Sequence, residues 1–544
     1  MSSFVATIID TSGIQPYIFG SNRLRENIGA SQLVSEATDL WVKKALCTLS
    51  KNLQGEGKPN SKVHAQISDP VAKPYIENSD DRLAAELLYT GGGNAIVLFQ
   101  TLEYAIEFTK ILTLRVLQEA PGLTLLVAHQ EFDWEDSLFE ILRELRLKLE
   151  RQKQQQIPSA PLLGLGVTVD CLSTRLAAID MSDRYGIPKD STYPISREVR
   201  EKLRAVERAN DRLTKLISEA NQHYEFPRDV DDMGRSEKES SYIAVVHADG
   251  NGMGNRFQNY GKDKANRDYI TEMRKLSQSI NNAGLTALKS VIKKLTQSIQ
   301  AGEVVGSSGR FSLKENYLPF RPLVYGGDDV TFICDGRLGL ELAAHFLESF
   351  EQQLLPDEKP LTACAGICIV KTHYPFARAY DLSEALCRQA KRYVREESET
   401  GFSALDWHIA SSGLLGSIAE IRKREYQVKA GSLTVRPIAL DRTREWRTWS
   451  SFSQVVRAFQ AEEWRDRKNK VMALREVLRQ GKDAVKQFLS AYDLPKLPEF
   501  INAEDSLAET GWLNQKCGYF DAIEAMEFYL GIQSNCEEQS DEHL

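Results

Sequence analysis

The sequence lacks three features that would assign it to a membrane, secreted or zinc-ribbon class. No apolar run in its 544 residues approaches the ~20 residues that a membrane-spanning helix needs. The N-terminus, MSSFVATIIDTSGIQ, has no basic segment of the kind that begins a secretory signal. None of the eight cysteines belongs to a CxxC pair, which argues against a zinc ribbon and a disulfide framework. These absences predict a protein of the reducing cytoplasm with no membrane partner.

An excess of basic charge is also missing. Lys and Arg number 68 against 76 Asp and Glu, which gives a formal net charge of −8. This balance argues against a surface covered with phosphate-binding charge, although it permits a local basic groove. Hydrophobic residues make up 42% of the chain and charged residues 26%, as in an ordinary globular protein. At roughly 150 residues per domain, the length predicts three or four domains.

One pattern of elements occurs twice along the chain. Residues 4–9 form an apolar run that ends at Asp10, and the GGGN turn at 91–94 lies between two further apolar runs. Residues 242–247 likewise run into Asp249, and apolar runs bracket the GGDD turn at 326–329. The distance from Asp to turn is 81 residues (91 − 10) in the first copy and 77 (326 − 249) in the second. We interpret this as a duplicated β-α-α-β-β-α-β unit, the alternative being chance similarity of two α/β stretches.

Asp249 and the GGDD turn form a pattern suited to phosphoryl transfer. Carboxylates at the end of a central strand and in a neighbouring hairpin can hold Mg²⁺ or Mn²⁺ beside a triphosphate. Gly326 and Gly327 let backbone approach the phosphates where a side chain would collide. Solvated acids in an ordinary tight turn are the alternative interpretation. We predict Asp249, Asp328 and Asp329 as catalytic and metal-binding residues, and the sequence does not distinguish which of the last two binds metal.

These motifs resemble the large polymerase–cyclase subunit of type III CRISPR effector complexes, whose palm domain is related to GGDEF diguanylate cyclases. Ala248-Asp249-Gly250, the GGDD turn and Ala390-Lys391 are similar to its active palm. Gly29-Ala30-Ser31 and the GGGN turn are similar to its degenerate first palm. The resemblance covers most of the chain.

The resemblance implies two palms that face one another, each with a nucleotide site, and cyclic oligoadenylate products that act in phage defence. It implies ATP or another NTP as substrate, an RNA or protein activator, and partner subunits at the C-terminal helical domain. No catalytic metal is expected at the first palm, because its turn lacks carboxylates. The implied nucleotide-binding residues are Gly250, Asn251, Gly326, Gly327 and Lys391 in the second palm, and Ser31, Gly92, Gly93 and Asn94 in the first.

The sequence also departs from the family pattern. No HD nuclease domain precedes the first palm, so no DNase activity is expected, and the family's zinc-binding cysteines between the palms are not apparent. Asn251 stands where a second aspartate is common, which leaves less negative charge for a second metal.

The predicted fold class is α+β, with two ferredoxin-like palm domains in tandem, a helical linker domain and a C-terminal helical domain. A strand is also predicted at 163–169, and another at 432–440. The predicted domain bounds are 1–171 for the degenerate palm, 172–240 for the linker, 241–410 for the active palm, 411–532 for the C-terminal domain and 533–544 for a disordered acidic tail.

Two classes of function are compatible with this pattern. The first is a metal-dependent nucleotidyltransferase or cyclase that converts NTPs, with ATP favoured, into cyclic oligonucleotide messengers in antiviral defence. The alternative is a non-catalytic nucleotide-sensing or RNA-binding scaffold subunit of a CRISPR-type complex, and templated polymerisation is less favoured. The Lys- and Arg-rich stretch 421–443 is either a basic binding face or a solvated surface. His247 is interpreted as a core or edge histidine.

Overall fold

The computed structural model describes residues 3–65, 71, 73–155, 165–218, 220, 224–233, 241–398, 401–410, 416–441, 445–461, 464 and 468–532. The chain divides into two compact units. Unit 1 comprises Met1–Leu216, Gly252–Asn282 and Leu355–Lys359, and unit 2 comprises Ile217–Asn251, Ala283–Leu354 and Pro360–Leu544. The predicted acidic tail, residues 533–544, lies outside the described residues. Within the described ranges, no helix is both long and apolar enough to cross a bilayer.

The first part of the chain alternates strands with helices. Its elements are β1 (Ser3–Ser12), α1 (Ile14–Phe19), α2 (Leu24–Thr38), α3 (Leu40–Gly55), β2 (Lys62–His64), β3 (Leu83–Gly91), β4 (Asn94–Phe99), α4 (Leu102–Glu119), β5 (Thr124–Asp133), α5 (Leu138–Gln155), β6 (Asp180–Met181), β7 (Pro194–Ile195) and α6 (Arg197–Ile217).

The second part repeats the alternation and then becomes mostly helical. Its elements are β8 (Tyr242–Gly250), α7 (Met253–Asn259), α8 (Asn266–Gln297), β9 (Ile299–Gln300), β10 (Glu303–Gly306), β11 (Gly309–Ser312), β12 (Phe320–Val324), β13 (Asp329–Asp335), α9 (Gly339–Glu351), β14 (Ala363–Lys371), α10 (Phe376–Glu397), β15 (Ala404–Ala410), α11 (Ile418–Glu425), β16 (Gln427–Val428), β17 (Gly431–Ser432), β18 (Ile438–Ala439), α12 (Trp449–Gln460), α13 (Lys468–Leu478), α14 (Lys482–Ala491), α15 (Asp505–Thr510), β19 (Trp512–Leu513), β20 (Lys516–Cys517) and α16 (Phe520–Ala525).

Unit 1 is built on a five-stranded sheet with strand order β2-β3-β4-β1-β5. β1 runs antiparallel to β4 on one side and to β5 on the other. Phe4, Ala6 and Ile8 pack in one cluster with Leu138 and Leu142 of α5, while the alternate β1 side chains are buried as well. Burial of both faces explains why this central strand has a continuous apolar run instead of an alternating pattern.

Unit 2 contains a six-stranded sheet with strand order β12-β13-β8-β14-β15-β18. β8 lies between β13 and β14 and is antiparallel to both, whereas β15 pairs in parallel with β14. The strands β3-β4-β1-β5 of unit 1 and β12-β13-β8-β14 of unit 2 therefore have the same order and the same antiparallel directions. The predicted α+β fold with two ferredoxin-like palms in tandem is confirmed. The domain bounds remain predictions.

In the C-terminal part of the chain, the predicted helices are present, whereas most of the predicted strand is not. The C-terminal region, predicted to be helical, contains α12, α13 and α14. The strand predicted at 432–440 is wrong over most of its length, because only β17 and β18, at its two ends, are strands. Pro437 precedes β18 and has no N–H to donate to a sheet, which interrupts the pairing.

The strand predicted at 163–169 is also wrong where the structure describes it, from 165 onward. Leu165 and Val167 are 72% and 92% exposed, and the Thr168 N–H donates to the Leu165 carbonyl at 2.8 Å, which closes a turn. The alternating apolar pattern of this segment is typical of a strand, but Gly164 and Gly166 favour a turn.

Buried ion pairs engage two of the basic residues in the stretch 421–443. Arg422 pairs with the fully buried Asp406, and Arg436 lies 2.9 Å from Asp521 with both side chains fully buried. These two guanidinium groups are therefore engaged inside unit 2 and do not contribute to a basic binding face.

Candidate active site

The three predicted catalytic aspartates meet at one edge of the unit 2 sheet. Asp249 lies near the end of the central strand β8 and is directly opposite Asp329, the first residue of β13. Residues directly opposite on paired strands project from the same sheet face. Asp328 precedes β13, and its carbonyl accepts the Gly250 N–H at 3.2 Å. The strand register therefore brings together carboxylates that are about 80 residues apart in sequence.

The glycines of the GGDD turn meet two separate geometric requirements. Gly326 and Gly327 have φ angles of 120° and 94°, which strain any residue with a Cβ atom. The backbone of the turn also lies against α8, because a Cβ atom placed on Gly284 would be only 2.1 Å from the Gly327 carbonyl oxygen. Glycine is therefore required both in the turn, at Gly326 and Gly327, and on the facing helix, at Gly284.

Lys391 contacts the end of β8 directly. Its Nζ atom lies 2.7 Å from Oδ2 of Asp249 and donates a hydrogen bond to the Gly250 carbonyl at 2.8 Å. Lys391 is on α10. The buried face of this helix includes Tyr380 and Cys387. The Ala-Lys pair identified in the sequence therefore places an ammonium group beside the first carboxylate.

The pKa shifts in the site follow from burial and from crowding of negative charge. Desolvation and the charge of Asp249 raise the pKa of Asp328 and that of Asp329 to about 7. Burial alone would lower the pKa of Lys391, but the charge of Asp249 raises it above its ordinary value. A site in which a neighbouring negative charge raises the pKa of Asp328 and of Asp329 is stabilised by an added cation.

The chemistry of these side chains fits a hard divalent cation. Carboxylate oxygens are the ligands that Mg²⁺ and Mn²⁺ prefer, and Mg²⁺ is usually held by one or two of them with substrate phosphates and water. Among the described residues, no three His, Cys, Asp or Glu side chains already converge to hold an ion. Asp249 and one aspartate of the GGDD turn would supply two carboxylate ligands, and a bound triphosphate would provide the remaining ligands.

The hydrogen bonds of Asn251 join neighbouring segments of the sheet. Its Nδ2 atom donates to Oγ1 of Thr362 at 3.1 Å and to the Phe402 carbonyl at 3.1 Å. Its backbone N–H donates to the Thr362 carbonyl at 2.8 Å. The side chain that replaces a second aspartate thus joins β8 to the segments before β14 and β15, and its predicted contact with nucleotide would require these bonds to be shared or broken.

The first palm has the same backbone plan with different side chains. Asp10 on β1 is directly opposite Asn94 on β4, as Asp249 is opposite Asp329. Gly92 and Gly93 have φ angles of 59° and 81°, and the Thr11 hydroxyl donates to the Gly93 carbonyl at 2.8 Å. The sequence GGGN therefore occupies the place of GGDD, and the turn contributes no carboxylate. Ser31, also predicted to bind nucleotide, lies on α2 and is partly buried.

One ion pair in the first palm is not among the predictions made from the sequence. Lys153 on α5 lies 2.6 Å from Oδ2 of Asp10, as Lys391 lies beside Asp249 in the second palm. Asp10 pairs with Leu126 on β5, and Asp249 pairs with Cys364 on β14. The lysine follows the paired residue by the same interval in both copies, since 153 − 126 and 391 − 364 both equal 27. Extending the duplication to this helix would have revealed Lys153.

The family comparison supports the assignment of the second palm. The family model for the second palm domain of Cas10/Cmr2 matches residues 242–398, which include β8, the GGDD turn and α10. This segment is therefore similar in sequence to a Cas10/Cmr2 second palm domain. The predicted resemblance to the large subunit of type III CRISPR effector complexes is confirmed by this match in the second palm. No curated protein matches the sequence.

Solved structures show the same fold at low sequence identity. A crystal structure of a Csm1-Csm4 cassette in complex with pppApApA has a chain 12% identical to this one, with a TM-score of 0.51. The match covers 97% of this chain and 69% of that chain. The Csm1-Csm4 subcomplex in the type III-A CRISPR-Csm interference complex is also 12% identical, with a TM-score of 0.51 and coverage of 97% and 70%. At this identity the likeness concerns the fold.

Proposed function

We propose that the protein is a metal-dependent nucleotidyltransferase that joins nucleoside triphosphates and cyclises the product into an oligonucleotide messenger. ATP is the proposed substrate, since a relative of this fold was crystallised with pppApApA. The proposed setting is antiviral defence, in which the protein would act as a subunit of a type III CRISPR complex. The observation that carries the proposal is the pairing of Asp249 with Asp329 across adjacent strands, beside Asp328 and Lys391.

The proposed reaction is an in-line phosphoryl transfer. The 3′-oxygen of one nucleotide forms a bond to the α-phosphorus of a triphosphate, the bond to the bridging oxygen breaks, and pyrophosphate leaves. A divalent cation supplies Lewis-acid stabilisation of the negative charge on the phosphates when it is bound. Of the aspartates in the turn, the one that does not bind metal orients the hydroxyl, and a carboxylate whose pKa is near 7 can accept its proton.

Lys391 and the turn glycines have separate proposed roles. The Lys391 ammonium lies beside Asp249, where it can neutralise the negative charge that develops on the leaving pyrophosphate. Gly326 and Gly327 leave the backbone of the turn accessible to phosphate oxygens. In the first palm, we assign Lys153, Gly92, Gly93 and Asn94 to a nucleotide site without catalytic metal, since that turn has no carboxylate.

A nucleotide-sensing or RNA-binding scaffold is the second candidate. It is favoured by Asn251, whose amide group bonds to Thr362 and Phe402 and supplies no charge for a second metal. One cation would suffice for nucleotide binding, whereas two cations support transfer most effectively.

The test is direct product analysis. Pure protein is incubated with all four NTPs and Mg²⁺ or Mn²⁺, and the products are identified by mass spectrometry. The double variant Asp328→Ala/Asp329→Ala should abolish the product, whereas Asp493→Asn, which alters an exposed turn aspartate, should leave it unchanged. Equal triphosphate consumption by the wild type and the double variant would refute the proposed active site.

A second measurement separates an inactive enzyme from a scaffold. If no product forms, calorimetry of ATP binding is carried out with and without Mg²⁺. Tight binding that depends on both the metal and the GGDD aspartates indicates an enzyme awaiting an activator. Absence of binding favours the scaffold.

A further inference from the structure

A buried histidine lies on the same sheet face as the catalytic carboxylates. His247 is two residues before Asp249 on β8, so both side chains project from one face of the strand. On β13, Thr331 is directly opposite His247, and Asp329 is directly opposite Asp249. His247 and Asp329 are therefore diagonal neighbours, a spacing that longer side chains can bridge.

The imidazole of His247 has a fixed orientation. Only 5% of the residue is exposed, and its ring packs edge-on against Tyr380 of α10, with ring centroids 5.6 Å apart. Its Nδ1 atom lies 3.1 Å from Oγ1 of Thr331 and 3.4 Å from Oδ1 of Asp329. Burial lowers the pKa of His247.

The carboxylate of Asp329 has one buried side and one open side. Its Oδ1 atom is buried and has no hydrogen-bond partner in the described part of the chain, although 51% of the side chain is exposed. A buried carboxylate oxygen without a donor is costly, and Nδ1 of His247 is the polar atom that faces it. A lone pair on Nδ1 would repel the ionised oxygen, so the tautomer with the proton on Nδ1 is favoured while Asp329 is charged.

We propose that His247 is a positioning residue for Asp329. Its Nδ1–H donates to Oδ1 of the ionised carboxylate and holds the group so that its exposed side faces the cation and substrate. The 3.4 Å separation is longer than an ordinary hydrogen bond, as is common in sites without a bound substrate, and it shortens when the site is occupied. This inference rests on the proposed function, because it gives Asp329 a role at the metal. The interpretation of His247 as a core histidine is thereby extended.

Metal affinity tests the proposal without relying on turnover. The dissociation constant for Mn²⁺ is measured by electron paramagnetic resonance of the free ion, for the full chain in the presence of a non-hydrolysable ATP analogue. His247→Leu, which removes the donor, should weaken Mn²⁺ binding roughly 10- to 100-fold, the usual effect of losing a partner of a metal ligand. His247→Asn, which can place an amide donor near the position of Nδ1, should restore most of the affinity.

Two further variants make the outcome decisive. Thr331→Val removes the other partner of Nδ1 and should leave Mn²⁺ affinity close to that of the wild type. In an Asp329→Ala background, His247→Leu should have no added effect, because the group that it positions is gone. Thermal unfolding of every variant identifies those that fail to fold. If His247→Leu fails to fold, His247→Asn and the Asp329→Ala background still test the proposal.

Failure of this inference differs from failure of the proposed function. If Asp329→Ala weakens Mn²⁺ binding while His247→Leu does not, or if the two effects are independent, His247 has no positioning role. If Asp329→Ala leaves Mn²⁺ affinity unchanged, Asp329 does not bind the metal and the inference is overturned, whereas the proposed metal site would then rest on Asp249 and Asp328. If metal binding follows the expected pattern but no nucleotide product forms, the inference stands and the catalytic proposal fails.

Discussion

Replacement of Gly284 by alanine should displace the GGDD turn and reduce catalysis, although Gly284 carries no functional group. The new Cβ atom would lie 2.1 Å from the Gly327 carbonyl oxygen, whereas ordinary contact begins near 3.4 Å. The two groups must therefore separate by about 1.3 Å, the difference between these distances. Ala283, Ala287 and Leu288 anchor α8 in the core, so the turn is expected to move instead of the helix.

A shift of this size is large for an active site. Misplacement of catalytic groups by about 1 Å can lower the rate by about 10²-fold, and we expect a loss of that order in kcat. The same substitution in an open helix position usually stabilises the protein, because alanine favours helix more than glycine does. Overpacking at Gly284 should instead cost about 1–3 kcal/mol of stability.

The assay follows pyrophosphate release at saturating ATP and metal, together with Mn²⁺ affinity and thermal unfolding. Gly55→Ala is the matched control, because Gly55 ends a helix and a Cβ atom there meets nothing within 4 Å. A folded Gly284→Ala variant with wild-type kcat and wild-type Mn²⁺ affinity would refute the argument that α8 determines the position of the turn.

Three further predictions concern other parts of the molecule. Glu86→Leu should destabilise the protein by about 3–5 kcal/mol in urea unfolding, because it leaves Arg274 buried without its carboxylate partner. Burial lowers the pKa of His408 to about 3, so its unfolded form takes up a proton below about pH 6.5 while the folded form does not. Stability should therefore fall by about 2 kcal/mol between pH 6.5 and pH 5 on this account, and His408→Phe should remove that part of the dependence. Lys153→Met should weaken ATP binding roughly tenfold in calorimetry without changing Mn²⁺ affinity, because the first palm loses its ammonium group beside Asp10.

Each of these expectations has a contradicting result. A loss below about 1 kcal/mol for Glu86→Leu would mean that solvent or a rearrangement compensates Arg274. An unchanged pH dependence in His408→Phe would assign the acid sensitivity to other groups. A weakened Mn²⁺ affinity in Lys153→Met would show that the first palm takes part in metal binding.

The candidate site of the second palm could be predicted from local sequence. The apolar run before Asp249 indicates a strand, and two adjacent glycines before two aspartates indicate a hairpin turn with positive φ angles. These are short-range signals, so they survive without knowledge of the fold. The strand predicted at 163–169 shows the limit of such signals, since its apolar alternation has no partner strand in the described part of the chain.

The amino-acid sequence by itself determined the duplicated palm plan, the positions of Asp249, Asp328 and Asp329, and the absence of carboxylates from the first palm turn. Tertiary structure alone decided that Lys153 contacts Asp10, that Gly284 lies against Gly327, and that Asn251 bonds to Thr362. It also placed His247 beside Asp329. Strand and turn preferences depend on neighbouring residues, whereas these contacts depend on strand register and helix packing, which long-range burial determines.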